Sequence, residues 1–188
     1  NGSSLILKAS GTQVIGVHPN FIRVQYQTTG GGQVVVASTA NGGLTYTALG
    51  TFTGAPFATG DTLTALANTN GSVDVWKTTA ANVTTYIGHS AASALTSTGR
   101  IGVQLPNTAR VDNFKGGTVS GIVIVAIFPQ TRLLNNFTID NGPLDNVTWA
   151  GAISPNNFRV QSKQVQSRQD SGAIWWNQGA AGANQEAF

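Results

Sequence analysis

The sequence contains neither cysteine nor methionine, and it carries few charges. Without cysteine, no disulfide framework and no thiolate metal site can form. Charged residues make up 9% of the chain, against about 25% in ordinary globular proteins. Thr, Ser, Asn and Gln fill the polar positions instead. Together with 23 glycines and many β-branched residues, they indicate an all-β protein with frequent turns.

Long apolar runs and concentrated positive charge are also missing. The longest apolar run lies within Gly121–Phe128; it is too short for a membrane helix of about 20 residues and suits a strand buried on both faces. The net charge of +3 comes from ten cations and seven anions. Arg159, Lys163 and Arg168 come closest to a cluster, and we interpret them as a solvated strand face. We therefore predict neither nucleic acid binding, which needs cations gathered on one face, nor membrane insertion.

Short segments that alternate apolar and polar residues recur along the chain and predict β-strands. The predicted strands are Ser4–Ala9, Phe21–Gln27, Gln33–Ser38, Thr62–Ala67, Ser72–Thr78, Val83–Ile87, Arg100–Leu105, Asn157–Gln161, Lys163–Ser167, Gly172–Asn177 and Asn184–Phe188. Leu44, Tyr46 and Ala48 add a further alternating segment. Asn70-Gly71 predicts a tight hairpin turn, and Ser90–Thr98 is predicted to be a loop. Strands this frequent, separated by polar turns, are typical of a sandwich or jelly roll.

Two groups of motifs are specific enough to compare with a known fold. The first group is the Gly-bounded strand at 71–76, Gly-Arg-Ile-Gly-Val at 99–103 and Arg-Val-Asp-Asn-Phe-Lys-Gly-Gly at 110–117. The second group runs from Leu-Asn-Asn-Phe at 134–137 through Gly-Pro-Leu at 142–144 to Trp149, and continues in strands at 158–160 and 164–165. The first group resembles the C-terminal half of concanavalin A-like, laminin-G-like modules, and the second resembles the N-terminal half. The resemblance implies an antiparallel jelly-roll β-sandwich, of the kind found in phage structural proteins and secreted bacterial proteins.

The two halves stand in reversed order, which bears on the domain organisation. We predict a single domain over 1–188, with a C-terminal-type half at 1–117, a bridging strand or linker at 118–131 and an N-terminal-type half at 132–188. The second half could pack on the first as a circular permutation, which the usual closeness of domain termini favours. It could instead complete a neighbouring subunit, or the chain could be a segment of a tandem array.

Residues suited to catalysis are scarce. Glycosidases of this superfamily use closely spaced carboxylates, but Glu186 is the single glutamate, and the six aspartates form no such arrangement along a strand. The two histidines, His18 and His89, lie in predicted turns, and no Gly-x-Ser-x-Gly elbow is present. We predict that the protein is not an enzyme.

Aromatic residues and aspartates supply the candidate binding sites. Sugars stack on exposed aromatic rings, and the candidate sugar-binding residues are Trp76, Tyr86, Trp149, Trp175 and Trp176. Adjacent Trp175 and Trp176 should point to opposite faces of one strand, so we expect one in the core and the other exposed or at an interface. The alternative for all five is a role in the core or in a subunit contact. No cofactor is predicted; if calcium binds, Asp112 and Asp140 are its candidate ligands, although both also suit the capping of turns.

These features favour a non-enzymatic structural module. We expect it at a virion surface, an extracellular surface or a fibre, in contact with copies of itself or neighbouring subunits. A surface rich in Thr, Ser, Asn and Gly suits close packing between subunits, because charges are costly to bury. A carbohydrate-binding, lectin-like module is the alternative function, and a polysaccharide-degrading enzyme is the third.

Overall fold

A computed structural model describes residues 2–12, 18–119, 131, 133–139, 141–168, 172–177 and 185–187. Apart from a 3-10 turn at Thr29–Gly31, their regular structure is extended. The strands are β1 (Ser4–Ser10), β2 (Asn20–Gln27), β3 (Gln33–Thr39), β4 (Thr47–Thr53), β5 (Thr62–Ala67), β6 (Val73–Thr78), β7 (Thr84–His89), β8 (Arg100–Leu105), β9 (Arg110–Val111), β10 (Phe114–Thr118), β11 (Leu133–Asn135), β12 (Asn141–Gly142), β13 (Trp149–Gly151), β14 (Phe158–Gln161), β15 (Gln164–Ser167), β16 (Gly172–Trp176) and β17 (Gln185–Ala187). The strand predicted within 121–128 and the candidate ligand Asp140 lie outside the described residues.

The strands form three antiparallel sheets. The large sheet has seven strands in the order β13-β16-β8-β1-β2-β3-β4. The second sheet has six strands, β11-β10-β17-β5-β6-β7, and the small sheet has four, β12-β14-β15-β9. The all-β antiparallel sandwich predicted from the sequence is confirmed.

The large and second sheets share one main apolar core. Its members alternate along their strands with outward residues, because successive side chains of a strand point to opposite faces. The core includes Leu5, Leu7, Ile22, Val24, Ala65, Ala67, Val73, Val75, Val103 and Phe114. Phe21 instead packs in a separate cluster with Ile6 and Ala9. Ile22 and Val24 therefore face away from Phe21.

The predicted Asn70-Gly71 turn joins β5 to β6. Ala67 pairs with Val73 across the turn. Gly71 has a φ of 82°, which favours glycine. A Cβ at this position would lie 2.3 Å from the carbonyl oxygen of Ser93. Glycine is therefore needed here for its conformation and for space.

The strand predicted from the alternation at Leu44 is wrong at its start, because β4 begins at Thr47. Gly42 has a φ of 73° and turns the chain. The Asn41 side chain then donates to Thr45 Oγ1 at 2.8 Å and accepts from the Thr45 N–H at 3.0 Å. These bonds hold a compact turn in which Leu44 is 85% exposed.

Strands from residues 133–187 take part in all three sheets. β16 lies between β13 and β8, and β17 lies between β10 and β5. Glycines permit this close approach. A Cβ on Gly102 would lie 2.1 Å from the carbonyl oxygen of Ile174, and one on Gly116 would lie 2.6 Å from that of Glu186.

Gln185 connects β17 to the large sheet. Its Oε1 accepts a hydrogen bond from the backbone N–H of Lys8 at 2.7 Å, and its Nε2 donates to the carbonyl oxygen of Gly99 at 3.1 Å. Gln185 and Lys8 are both buried, and burial lowers the pKa of the Lys8 amine. One side chain of the last strand thus bonds to backbone groups at β1 and before β8.

Candidate functional site

Two of the five candidate sugar-binding residues lie in the interior. Trp149 and Trp175 are 0% exposed. The Trp149 ring packs against Phe114 and Phe137, at 5.5 Å and 5.7 Å between ring centroids. Both tryptophans therefore contribute packing, and neither offers a ring face to a ligand.

Trp175 and Trp176 point to opposite faces of β16, as strand alternation requires. Trp176 is half-buried, packs against the main core and meets Trp149 edge-on at 5.6 Å. Trp175 takes the outer face, where the His18 ring covers it at 5.0 Å. The outward ring is therefore the more deeply buried of the two, because the segment at His18 folds over it.

Trp76 and Tyr86 form the aromatic pair that reaches the surface. They are register partners on β6 and β7 of the second sheet. Their ring centroids lie 5.5 Å apart, with planes inclined by 59°. Trp76 also packs against Leu66 and Val119, whereas Tyr86 is 52% exposed. The outer face of the second sheet thus carries a supported, partly open pair of rings.

Asp74 organises the polar groups beside this pair. Its Oδ1 accepts a hydrogen bond from the Tyr86 hydroxyl at 2.8 Å and lies 2.8 Å from His89 Nδ1. Its Oδ2 accepts from Asn68 Nδ2 at 2.7 Å. We call Asn68, Asp74, Trp76, Tyr86 and His89 the Asp74 face.

Local structure explains why these residues meet. Asp74 and Trp76 are two apart on β6 and so share its outer face. Asn68 precedes the hairpin turn, which brings it back beside Asp74. The register shift between Val75 and Trp76 then places His89 opposite Asp74.

Burial and the carboxylate of Asp74 move the pKa of Tyr86 further above neutral pH. Partial burial, the hydrogen bond to Asp74 and the negative charge of Asp74 together raise the pKa of Tyr86 to about 12. The phenol therefore keeps its proton at physiological pH and acts as a donor to Asp74. A carboxylate, an amide, an imidazole and a phenol thus lie beside two rings, the combination with which proteins bind sugar hydroxyls and apolar sugar faces.

The other aspartates within the described residues, Asp61, Asp112 and Asp145, hold turns. Asp112 Oδ1 accepts from the Asn113 N–H at 2.7 Å, and Asp145 Oδ1 accepts from the Thr148 N–H at 2.6 Å. Asp61 accepts a hydrogen bond from the Ala58 N–H, and this bond is the largest cause of the lowered pKa of Asp61. Among the described residues, no group of three or more His, Asp or Glu side chains is arranged to hold a metal ion.

His18 and Glu186 are buried titratable groups with internal partners. His18 Nδ1 lies 2.8 Å from the Gly11 carbonyl oxygen. Burial lowers the pKa of His18, the Gly11 bond opposes that shift, and nearby Arg100 adds to it. Glu186 Oε2 accepts from the N–H and the hydroxyl of Thr131, at 2.8 Å and 2.7 Å. Both groups hold strands or loops in place.

A cleft of about 1030 Å³ opens where the three sheets come together. Buried Leu5, Val103 and Leu105 line its apolar part. Arg110 and Asp112 contribute charges to its lining. The cleft shares no lining residue with the Asp74 face.

Comparison with models of protein families, with curated proteins and with solved structures found no match for this chain. The resemblance to concanavalin A-like modules therefore stays a prediction. In the described part of the chain, no helix is both long and apolar enough to cross a lipid bilayer.

Sequence reasoning found the rings of the Asp74 face but missed three of its polar members, Asn68, Asp74 and His89. The position of Asp74 two residues before Trp76 was a usable signal, because it places both side chains on one strand face. No pattern in the sequence reveals the pairing of Asp74 with His89, which depends on the register shift between β6 and β7.

Proposed function

We propose that this protein is a non-enzymatic structural module of a virion, an extracellular surface or a fibre, and that it assembles with copies of itself or with a neighbouring subunit. The placement of the last strands carries the proposal: β16 and β17 lie at interior positions of the large and second sheets. Without these strands, β8, β5 and β10 each have an open side. The same chain fills these positions in this structure, and in an assembly a second copy would supply the equivalent strands.

The low surface charge adds support. β4 is the outermost strand of the large sheet, and its sequence, Thr-Ala-Leu-Gly-Thr-Phe-Thr, contains no charged residue. Natural proteins commonly protect edge strands from association with charged side chains. Nearby Leu44 and the more distant Val147 are 85% and 69% exposed, so apolar area is available for contact with another subunit.

The absence of cysteine permits a direct test of assembly by strand donation. Gln104 and Ala173 pair across β8 and β16, and cross-strand neighbours suit a disulfide. With Gln104→Cys on one copy and Ala173→Cys on another, we expect oxidation to give covalent dimers on a non-reducing gel. The double variant in a single chain, and each single variant alone, are the controls.

Light scattering after size-exclusion chromatography tests assembly as such. We expect defined oligomers or filaments in the parent chain. Monomer alone at all concentrations would refute the proposal. If oligomers form but the disulfides form only within single chains, the protein assembles without exchanging strands. Assembly would then depend on surface contacts such as the β4 edge.

Carbohydrate binding is the second candidate function, favoured by the Asp74 face. Three donors orient the Asp74 carboxylate beside the Trp76–Tyr86 pair. Binding of a glycan should change the tryptophan fluorescence of the parent chain. Tyr86→Ala should abolish that change, whereas Val83→Ala, at an exposed apolar position close to the same strand, should preserve it. Unchanged fluorescence across a broad glycan panel would rule out this function.

A further inference from the structure

The small sheet gathers cations that are far apart in the sequence. Arg159 on β14 pairs with Gln166 on β15, and Gln166 pairs with Arg110 on β9. The three side chains therefore form one row across three strands. Arg110 lies 49 positions before Arg159, so the sequence alone does not place it with the later cations.

This row faces away from the main core. Val160 and Val165 are core residues, and Val111 packs against the core. Because side chains alternate along a strand, their neighbours Arg159 and Arg110 point away from the main core. Arg159 is half-buried, and exposed Arg110 is also one of the residues that line the cleft.

Two further cations border the row. Lys163 lies in the turn between β14 and β15, and Arg168 follows β15 directly. The strands of the small sheet contain no acidic residue. In the sequence, Asp112 follows β9 directly, Asp140 precedes β12 directly, and Asp170 comes two positions after Arg168. Of these three, Asp112 lies among the described residues, and its Oδ1 accepts from the backbone N–H of Asn113. We call Arg110, Arg159, Lys163 and Arg168 the arginine face.

Two of the guanidinium groups are held in fixed positions. Arg159 donates from Nε and Nη2 to Gln166 Oε1, at 3.2 Å and 3.0 Å, and also from Nη2 to Gln161 Oε1. Arg168 donates from Nη1 to the Pro155 carbonyl oxygen at 3.2 Å. A guanidinium has five N–H donors, so Arg159 retains donors at Nη1 for a ligand. Fixing the group in advance reduces the entropy lost on binding.

We propose that the arginine face binds an anionic polysaccharide through its carboxylate or sulfate groups. Planar guanidinium groups bind such oxyanions through paired hydrogen bonds. Arg110 and Arg159 stand two strands apart, a spacing of about 10 Å. The Gln161 and Gln164 amides on the same face supply partners for sugar hydroxyls.

A nucleic acid fits this face less well. Proteins that bind single strands add aromatic stacking platforms to a basic groove, and the outward positions of these four strands hold Arg, Gln and Asn. The proposal concerns a different surface from the Asp74 face and does not depend on it.

The test measures binding of the full chain to polygalacturonate, heparin, uncharged dextran and a single-stranded oligonucleotide. We expect binding to polygalacturonate or heparin that weakens as salt is raised, with no binding to dextran. Polygalacturonate carries carboxylates alone and heparin carries both sulfates and carboxylates, so binding to polygalacturonate shows that carboxylates suffice, whereas binding to heparin alone points to sulfate recognition. Arg110→Gln combined with Arg159→Gln should weaken that binding about tenfold.

The matched control is Lys77→Gln combined with Lys115→Gln, which removes the same charge from the second sheet. It should change the affinity less than about threefold. Arg110→Lys with Arg159→Lys keeps the charge but lacks the paired donors, and should show intermediate affinity. The proposal is overturned if neither acidic polysaccharide binds, if the control pair weakens binding equally, or if the oligonucleotide binds more tightly than both.

Discussion

At the scale of single residues, His18 couples the stability of the fold to pH. It is 7% exposed, and its ring covers Trp175 on the outer side of the large sheet. Burial is the largest cause of its lowered pKa. A depressed histidine pKa contributes stability that is complete above the unfolded value of about 6.5. That contribution is lost as the pH falls through the lower, folded value.

We expect the urea midpoint of a His89→Gln chain to decrease as the pH is lowered from about 7.5 to about 5. In that chain His18 is the remaining histidine, and most carboxylates titrate below this range. Adding His18→Asn keeps a donor for the Gly11 carbonyl oxygen but removes the titrating group, so the fall should become smaller. An equal fall in both chains would show that His18 does not control it.

At the scale of strands, Gly102 sets the distance between β8 and β16. A Cβ there would lie 2.1 Å from the Ile174 carbonyl oxygen, and a backbone atom cannot move aside without disturbing its sheet. We expect Gly102→Ala to lower the free energy of unfolding by about 1–3 kcal/mol, measured by chemical denaturation. Gly142→Ala is the control, because the added Cβ would make an ordinary 3.4 Å contact with Ile139. Equal stability of the two variants would contradict this account.

Alternation predicted the long strands well, because it follows directly from which side chains face the core. β5 and β8 begin and end where the sequence pattern placed them. Alternation did not mark the two-residue strands β9 and β12, which are too short to alternate. The motif at 110–117 contains β9, but the structure divides this segment into β9 and β10, which belong to different sheets. Alternation also could not show that His18 covers the outer face of β16. It tells the two faces of a strand apart, but it does not indicate that other residues bury both of them.

The candidate site was likewise predictable from the sequence only in part. Trp76 and Tyr86 were found from residue type, because few side chains suit sugar stacking. Asp74 and His89 become a pair only through cross-strand register, which local pattern does not contain. The basic row of Arg110 and Arg159 likewise depends on the pairing of β9 with β15.

At the scale of the whole molecule, we predict that removing residues 172–188 abolishes cooperative unfolding. The deletion removes β16 and β17, and it uncovers β8, β5 and β10. Each buried backbone group left unpaired costs about 1–3 kcal/mol, and Ile174 and Trp175, both 0% exposed, are lost as well. Losing these hydrogen-bond ladders and two fully buried side chains is a large change against the 5–15 kcal/mol by which folded domains are typically stable.

Denaturation followed by tryptophan fluorescence and circular dichroism measures this loss. The parent chain should show a single transition, and the truncated chain should show none. A synthetic peptide of residues 172–188 should restore part of the transition when added. A truncated chain that unfolds cooperatively at the parent midpoint would contradict the prediction.

The position of β17 also determines how the molecule responds to mechanical force. β17 pairs with β10 on one side and with β5 on the other. The Gln185 side chain also bonds to the backbone of Lys8 in β1 and to that of Gly99, just before β8. Tension transmitted along β17 therefore loads two hydrogen-bond ladders at once in shear, rather than peeling a strand from a border one bond at a time. A chain loaded through this strand would resist extraction until both ladders yield together.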